Sequence, residues 1–370
     1  MEMEDGIILL LLNNIETLGV RLRIKMEYSE ATPIPIPHPW NGSYANNPWS
    51  SVTSNSCGQY LAAVVASGDG VDGGIYTSQD YGVHWTSHSS VPWGNWSSIT
   101  SDSSGKYLAA VMYPGLIYTS NDYGDTWKPS ISPMPNKYWT AIVSSSDGTK
   151  LIAVELGGGV YTSRDYGSMW TQQMGAPSKK WASIASDSTG EYLAAIVKGG
   201  GIYTSQDGGV TWTLQQNAPS LNWASIASDS TGEYLAAVVI FGGIYTSQDR
   251  GATWTLRQSA PISKWISITS CSDGSYLNAV INGGGIFTSL DFGISWIVSN
   301  APDQNWSSIA SDSTGNYLIA ASQNGATIGG IYTAVCYTPT QPVAEPRRWR
   351  SSNVSALKGP PERREKYSRS

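Results

Sequence analysis

Six aspartates recur at one fixed place in this chain, and carboxylates at regular spacing are the first candidates for acid–base chemistry. They are Asp80, Asp122, Asp165, Asp207, Asp249 and Asp291, separated by 42, 43, 42, 42 and 42 residues. Each lies in a phrase such as "TSQDYGVHW" (77–85) or "TSRDYGSMW" (162–170). A catalytic carboxylate needs an environment of its own that shifts its pKa, whereas six near-copies share one environment. The pattern Ser-x-Asp-x-Gly-x-x-Trp suits a tight turn instead. The Asp accepts N–H groups of its own turn, and Gly82, Gly124, Gly167, Gly209, Gly251 and Gly293 supply a positive φ at little steric cost. These twelve residues therefore read as structural, and no catalytic residue is expected among them.

The remaining chemistry-bearing residues are sparse. His38, His84 and His88 are the only histidines, and Cys57, Cys271 and Cys336 have neither metal spacing nor an even disulfide count. No metal or cofactor site is expected. The "GGG" runs at 157–159, 199–201 and 283–285 precede strand-like rather than helical segments, so they read as inter-strand turns and not phosphate cradles.

Elements that would position these turns repeat with the same period. Trp49, Trp96, Trp139, Trp181, Trp223, Trp265 and Trp306 each open an alternating segment, and an apolar-aromatic-Thr triplet is centred on Tyr76, Tyr118, Tyr161, Tyr203, Tyr245, Phe287 and Tyr332. One unit reads as four strands: "WASIAS" (181–186), the turn "DSTG", "EYLAAIV" (191–197) ended by a flexible "KGGG", "IYTS" (202–205), and "WTLQ" (212–215) after the Asp turn. Four short strands per ~40–45 residues form the blade of a β-propeller. After "GGIYT" (329–333) the seventh Asp turn and its Trp are missing, while Trp40 stands nine residues before Trp49 like a fourth-strand Trp with no blade of its own. The expected fold is all-β: a seven-bladed propeller of four-stranded blades, closed by an N-terminal strand that completes the last blade. Seven fourth-strand tryptophans (40, 85, 127, 170, 212, 254, 296) then match the seven of the first strands. Each removes up to ~250 Å² from water, roughly 6 kcal/mol gross at ~25 cal/mol/Å², so these fourteen read as core. Trp93 in "SHSSVPWGN" (87–95) is the candidate exposed platform.

The expected organisation is an N-terminal extension (1–36), the propeller (37–338) and a basic disordered tail (339–370). "VRLRIKME" (20–27) alternates as an edge strand does, and "TPIPIPHP" (32–39) reads as an extended connector. The net charge is −6, yet from residue 340 onward eight Lys/Arg stand against three Asp/Glu, leaving an acidic body that argues against nucleic acid. The apolar run Ile7 to Leu12 is too short for a membrane span, and the acidic leader is unlike a secretory signal. The compartment stays open on these observations.

The six Asp turns resemble the Asp-box, or bacterial neuraminidase repeat, and the resemblance extends from Trp40 to about Tyr337. It implies a sialidase-like β-propeller with the boxes at the periphery, similar also to the propellers of photosystem II assembly factors and sortilin-type receptors. Sialidases are known for three arginines that clamp a carboxylate, a Tyr/Glu pair and an Asp acid. Residues 40–338 hold only Arg164, Arg250 and Arg257, two of them inside Asp boxes, and the glutamates Glu155, Glu191 and Glu233. The clamp is missing, so the chain is not expected to be an enzyme.

The expected function is a non-catalytic scaffold, a monomer, that binds a protein partner through the loop face opposite the Asp boxes. The irregular loops 86–95, 128–138, 68–74 and 323–330 belong to that face. Candidate binding residues are Trp93, Lys137, Tyr138, Lys179, Lys180, Lys198 and Lys264, with Lys128 and Arg257 expected beside them. The alternative is a carbohydrate-binding propeller using Trp93 and Tyr138, and a degenerate glycosidase is the third reading.

Overall fold

The computed structural model describes residues 40–43, 47–67, 73–130, 136–323 and 329–335. All fall in Pro35–Ser370, the second of the two units into which the chain divides. The extension 1–36, the connector 32–39, the tail 339–370, Cys336 and Trp349 lie outside the described residues, as do parts of the loops at 68–74, 128–138 and 323–330.

Every regular element among the described residues is a β-strand, and no helix there is long and apolar enough to cross a membrane. Lys179–Ser186, Leu193–Gly200, Ile202–Ser205 and Thr213–Leu214 pair antiparallel in chain order. The same four-stranded order recurs in the units that contain Trp49, Trp96, Trp139, Trp223 and Trp265. The unit of Trp306 has Gln304–Ser311, Tyr317–Ser322 and Ile331–Val335. Its fourth strand comes from the other end of the sequence: Asn41–Ser43 pairs with Ile331–Val335, with Gly42 opposite Tyr332. The Trp40 ring lies 6.1 Å from that of Trp306.

The second strands carry the core. "LAAIV" is buried at all five positions, Leu193 to Val197, because both faces of the sheet are covered by neighbouring sheets, the arrangement that favours an unbroken apolar run. Clusters therefore draw on adjacent sheets: Val154 and Val160 of one pack with Trp181, Ile184 and Leu193 of the next. The seven first-strand tryptophans are all buried, and Trp85, Trp127, Trp170 and Trp296 are buried as well.

Two features differ from the sequence reading. The segment at 198–201 is no flexible terminator: the second strand continues to Gly200, and Lys198 pairs with Asn222 of the following sheet. Equivalent bridges join Leu156 to Lys180, Ile240 to Lys264 and Asn282 to Asn305. Alternation within one strand gives no hint of such pairing between sheets. The fourth strands are also shorter than expected, two residues in six of the units and three at Asn41–Ser43, beginning after the Trp rather than at it.

Adjacent sheets are also joined at their inner ends by single backbone hydrogen bonds. The Ser56 N–H donates to the Ser103 carbonyl (3.0 Å), Ser103 to Ser146 (2.9 Å), Ser146 to Ser188 (2.8 Å) and Ser188 to Ser230 (2.9 Å). Ser230 donates to Ser272 (2.9 Å), Ser272 to Ser313 (2.8 Å), and Ser313 returns to Ser56 (3.1 Å).

Candidate functional site

Antiparallel order places the first-to-second turns and the Asp turns at one end of each sheet. Hairpins between second and third strands, and the links to the next sheet, lie at the other. The two ends are built from different chemistry.

At the Asp end each box is held by hydrogen bonds within its own turn. In the second box Ser120 Oγ donates to Asp122 Oδ1 (2.8 Å) and accepts from Gly124 N–H (2.9 Å). The Thr126 amide donates to Asp122 Oδ1 (2.9 Å), and Trp127 Nε1 donates to the Gly124 carbonyl (2.9 Å). The residue before the glycine is left-handed too: Tyr81, Tyr123, Tyr166, Arg250 and Phe292 have φ between 59° and 63°, a conformation costing a non-glycine residue roughly 1–2 kcal/mol. Their side chains stack on the preceding sheet. Tyr123 meets Tyr60 at 4.6 Å, Tyr166 meets Tyr107 at 4.4 Å, Tyr81 meets Tyr317 at 5.2 Å, Phe292 meets Tyr234 at 4.8 Å, and Arg250 lies 4.1 Å over Tyr192. The fourth box has Gly208 at this place, and there Lys150 of the preceding sheet, in the Tyr position, pairs with Glu191. The sequence reading of the boxes found the glycine and missed this neighbour; an aromatic or Arg recurring one place before the glycine was the available signal.

Five of the box carboxylates are held as anions. Burial acts to raise the pKa of Asp80, Asp122, Asp207, Asp249 and Asp291, but amide and hydroxyl or imidazole donors four residues on, with the Ser two residues before, overcome it and leave each below the ordinary 3.8. A depressed folded-state pKa adds stability above the unfolded value and loses it as pH falls through the folded one. Tm is therefore expected to stay level from about pH 8 to 5 and to fall below about pH 4, when followed by circular dichroism. Asp249→Asn combined with Asp291→Asn should flatten that acid limb; an unchanged limb would remove the boxes as its origin.

The sheet ends joined by the backbone hydrogen bonds from Ser56 through Ser313 carry a second repeat, Ser-x-Ser, at 54–56, 101–103, 144–146, 186–188, 228–230, 270–272 and 311–313. These residues line a cavity of about 220 Å³. The middle residue caps the first-to-second turn: Asp187 Oδ1 accepts the Tyr192 amide (3.1 Å), and Asn55, Ser145 and Cys271 replace Asp in the same role. Among the described residues no group of three His, Cys, Asp or Glu comes together as a metal site requires.

At the hairpin end Lys180 and Lys198 are exposed. Lys179 lies over the Tyr203 ring, and Lys264 Nζ donates to Asn282 Oδ1 (2.7 Å). Lys137 pairs with Glu155 at 3.0 Å, and Tyr138 stacks edge-on against Tyr113 at 5.2 Å. Trp93 and Tyr138 are 73% and 51% exposed. Phe241, which the sequence reading passed over, is 73% exposed at a hairpin apex with φ 57°. Gly157, Gly199 and Gly283 fill that place in other sheets, with φ of 74°, 67° and 80°. Lys128 and Arg257 are not on this face with the others. Lys128 shares a cleft with Asp165 and Tyr166 of a box, and Arg257 donates to Thr246 while feeling Asp291. The two-residue fourth strand keeps both near the boxes.

No family model and no curated protein matches the chain. Among solved structures, "YCF48 bound to D1 peptide" is similar with a TM-score of 0.62 and 15% identity, over 82% of this chain and 99% of that one. YCF48 from Cyanidioschyzon merolae gives 0.61 and 14%, over 80% and 98%. The GH74 xyloglucanase from Xanthomonas campestris gives 0.62 and 15%, over 80% of this chain and 53% of that one. At such identities the likeness is one of fold, and the fold is that of these β-propellers: all-β, built from repeated antiparallel four-stranded sheets.

Proposed function

We propose that residues 37–338 form a seven-bladed propeller closed by the strand at Asn41–Ser43, and that it is a non-catalytic scaffold binding a protein partner through its hairpin face. The hydrogen bonds that run from Ser56 through Ser313 and back to Ser56 support the blade count. Spent carboxylates support the absence of catalysis: five box aspartates are held by donors of their own turns and Glu155 by Lys137.

The observation that carries the binding reading is Phe241. A bulky apolar side chain stands in solvent, in a backbone conformation glycine serves better, beside Lys264 of the paired strand. Strain at an exposed residue points to a use outside the fold, and a solvent-exposed aromatic is the residue type enriched in protein-binding anchors. The likeness to YCF48, solved with a bound peptide, agrees with this reading.

Phe241→Gly tests it. Relief of left-handed strain, roughly 1–2 kcal/mol, slightly exceeds the added unfolded-state entropy of glycine, roughly 0.5–1 kcal/mol, so Tm should rise by only about 2–4 °C. Partners retained from a native extract by the immobilised wild-type chain should be lost by Phe241→Gly and reduced by Trp93→Ala. Identical capture by all three proteins would overturn the reading. The exposure of Trp93 favours a second reading, glycan binding on the same face, for which a glycan array signal lost in Trp93→Ala is the test.

A further inference from the structure

One cleft at the Asp end breaks the repeat at three places at once. It lies between the sheets of Trp96 and Trp139, holds about 310 Å³, and is lined by Thr119, Lys128, Asp165 and Tyr166 among others. At the first residue of the fourth strand, Thr86, Thr171, Thr213 and Thr255 stand in four other sheets and Ile297 in a fifth, whereas here it is Lys128. No hydrogen bond or ion pair engages its ammonium among the described residues.

The second departure is in the box that faces it. Five box aspartates have Oδ2 taken by the side chain four residues on: His84 (2.6 Å), Thr126 (2.5 Å), Thr211 (2.6 Å), Thr253 (2.6 Å) and Ser295 (2.6 Å). In the third box that residue is Met169, which donates only its amide to Oδ1. Asp165 Oδ2 has no donor among the described residues. The third departure is Thr119. Its counterparts Thr77, Thr162, Thr204 and Thr246 are hydrogen-bonded to His88, Gln173, Gln215 and Arg257. Here the corresponding Ser130 turns instead to the Gly167 carbonyl (2.8 Å), and the Thr119 hydroxyl keeps no protein partner among the described residues.

A cation, a carboxylate oxygen and a hydroxyl are thus left unspent in one concavity whose wall is the stacked pair Tyr107 and Tyr166. Lys128 and Asp165 do not neutralise each other, since no ion pair joins them. Asp165 and Thr119 are half-buried, and such polar groups ordinarily find partners; with the exposed Lys128 ammonium beside them in the same cleft, their free positions describe a complementary ligand. We propose that this cleft binds a small polyhydroxylated anion, a sugar acid or sugar phosphate, with the anionic group on Lys128 and hydroxyls donating to Asp165 Oδ2 and meeting Thr119. It lies at the end opposite the hairpin face and does not depend on the partner-binding reading.

The test is calorimetric titration of the full chain at low ionic strength with D-glucuronate, D-glucose 6-phosphate and D-glucose. The variants Lys128→Thr and Met169→Thr each install a residue used at equivalent positions in other sheets, so the fold is kept, and circular dichroism verifies it. At least one of the two anions should bind while glucose does not; the stronger of the two assigns carboxylate or phosphate. Each variant should weaken that binding by about tenfold or more, as loss of a charge-assisted contact does. Three results would overturn the site: no saturable binding of either anion at millimolar concentration, binding unchanged in both variants, or glucose binding as tightly as the anions.

Discussion

Removal of residues 1–43 will lower Tm by on the order of 10 °C, and a synthetic peptide of residues 36–46 added in trans will restore part of the loss. The deletion takes away Trp40, whose ring contacts Trp306, and the three residues that pair with Ile331–Val335. Trp deletion in a core costs about 3–5 kcal/mol, less here because Trp40 is only half-buried, and each strand hydrogen bond adds about 0.5–1.5 kcal/mol. A sum near 5 kcal/mol, at about 2–4 °C per kcal/mol, gives the shift. Ile331–Val335 also becomes an open edge, so concentration-dependent aggregation should accompany the loss. Differential scanning fluorimetry with and without peptide is the measurement. A truncated chain melting with the full-length one would mean that the pairing contributes nothing.

Trp181→Ala should cost about 3–5 kcal/mol, the largest effect of any single substitution considered. Trp181 is 0% exposed and packs against Tyr203 (5.3 Å) and Trp212 (5.7 Å), in a cluster shared with the preceding sheet. Trp181→Phe should be far milder, because the Trp181 Nε1 has no protein acceptor among the described residues and only volume is lost. Trp139 offers the contrast. Its Nε1 donates to the Gly115 carbonyl (3.1 Å), so Trp139→Phe loses packing and leaves a carbonyl without its donor. Urea denaturation of the three variants separates these cases; equal midpoints for Trp181→Phe and Trp139→Phe would dismiss the hydrogen bond.

What the sequence made legible is what repeats. The Trp of each first strand, the Asp and Gly of each box and the unpartnered Trp40 follow from period and spacing alone, since identical local needs select identical residues. Contacts between sheets were not legible. Lys198 opposite Asn222 and Tyr123 on Tyr60 join residues more than twenty positions apart, and neither strand alternation nor turn chemistry encodes which neighbour a side chain will meet. Lys128 shows the cost of reading loops by sequence order alone. It follows a box directly, but a two-residue strand is too short to carry it to the far end of the sheet. Phe241 and Met169 were invisible for a different reason. They are exceptions to a pattern, and an exception acquires meaning only when the place it occupies is known.

Pairing of Asn41–Ser43 with Ile331–Val335 has a consequence for how the protein comes into being. On the ribosome, the early ribbon emerges almost three hundred codons before the strand that will accept it. Throughout translation the nascent domain must carry an unclaimed strand and, once the later sheets form, an uncapped flank, the condition that invites chaperones and wrong partners. Final locking consequently waits until Ile331–Val335 has been made.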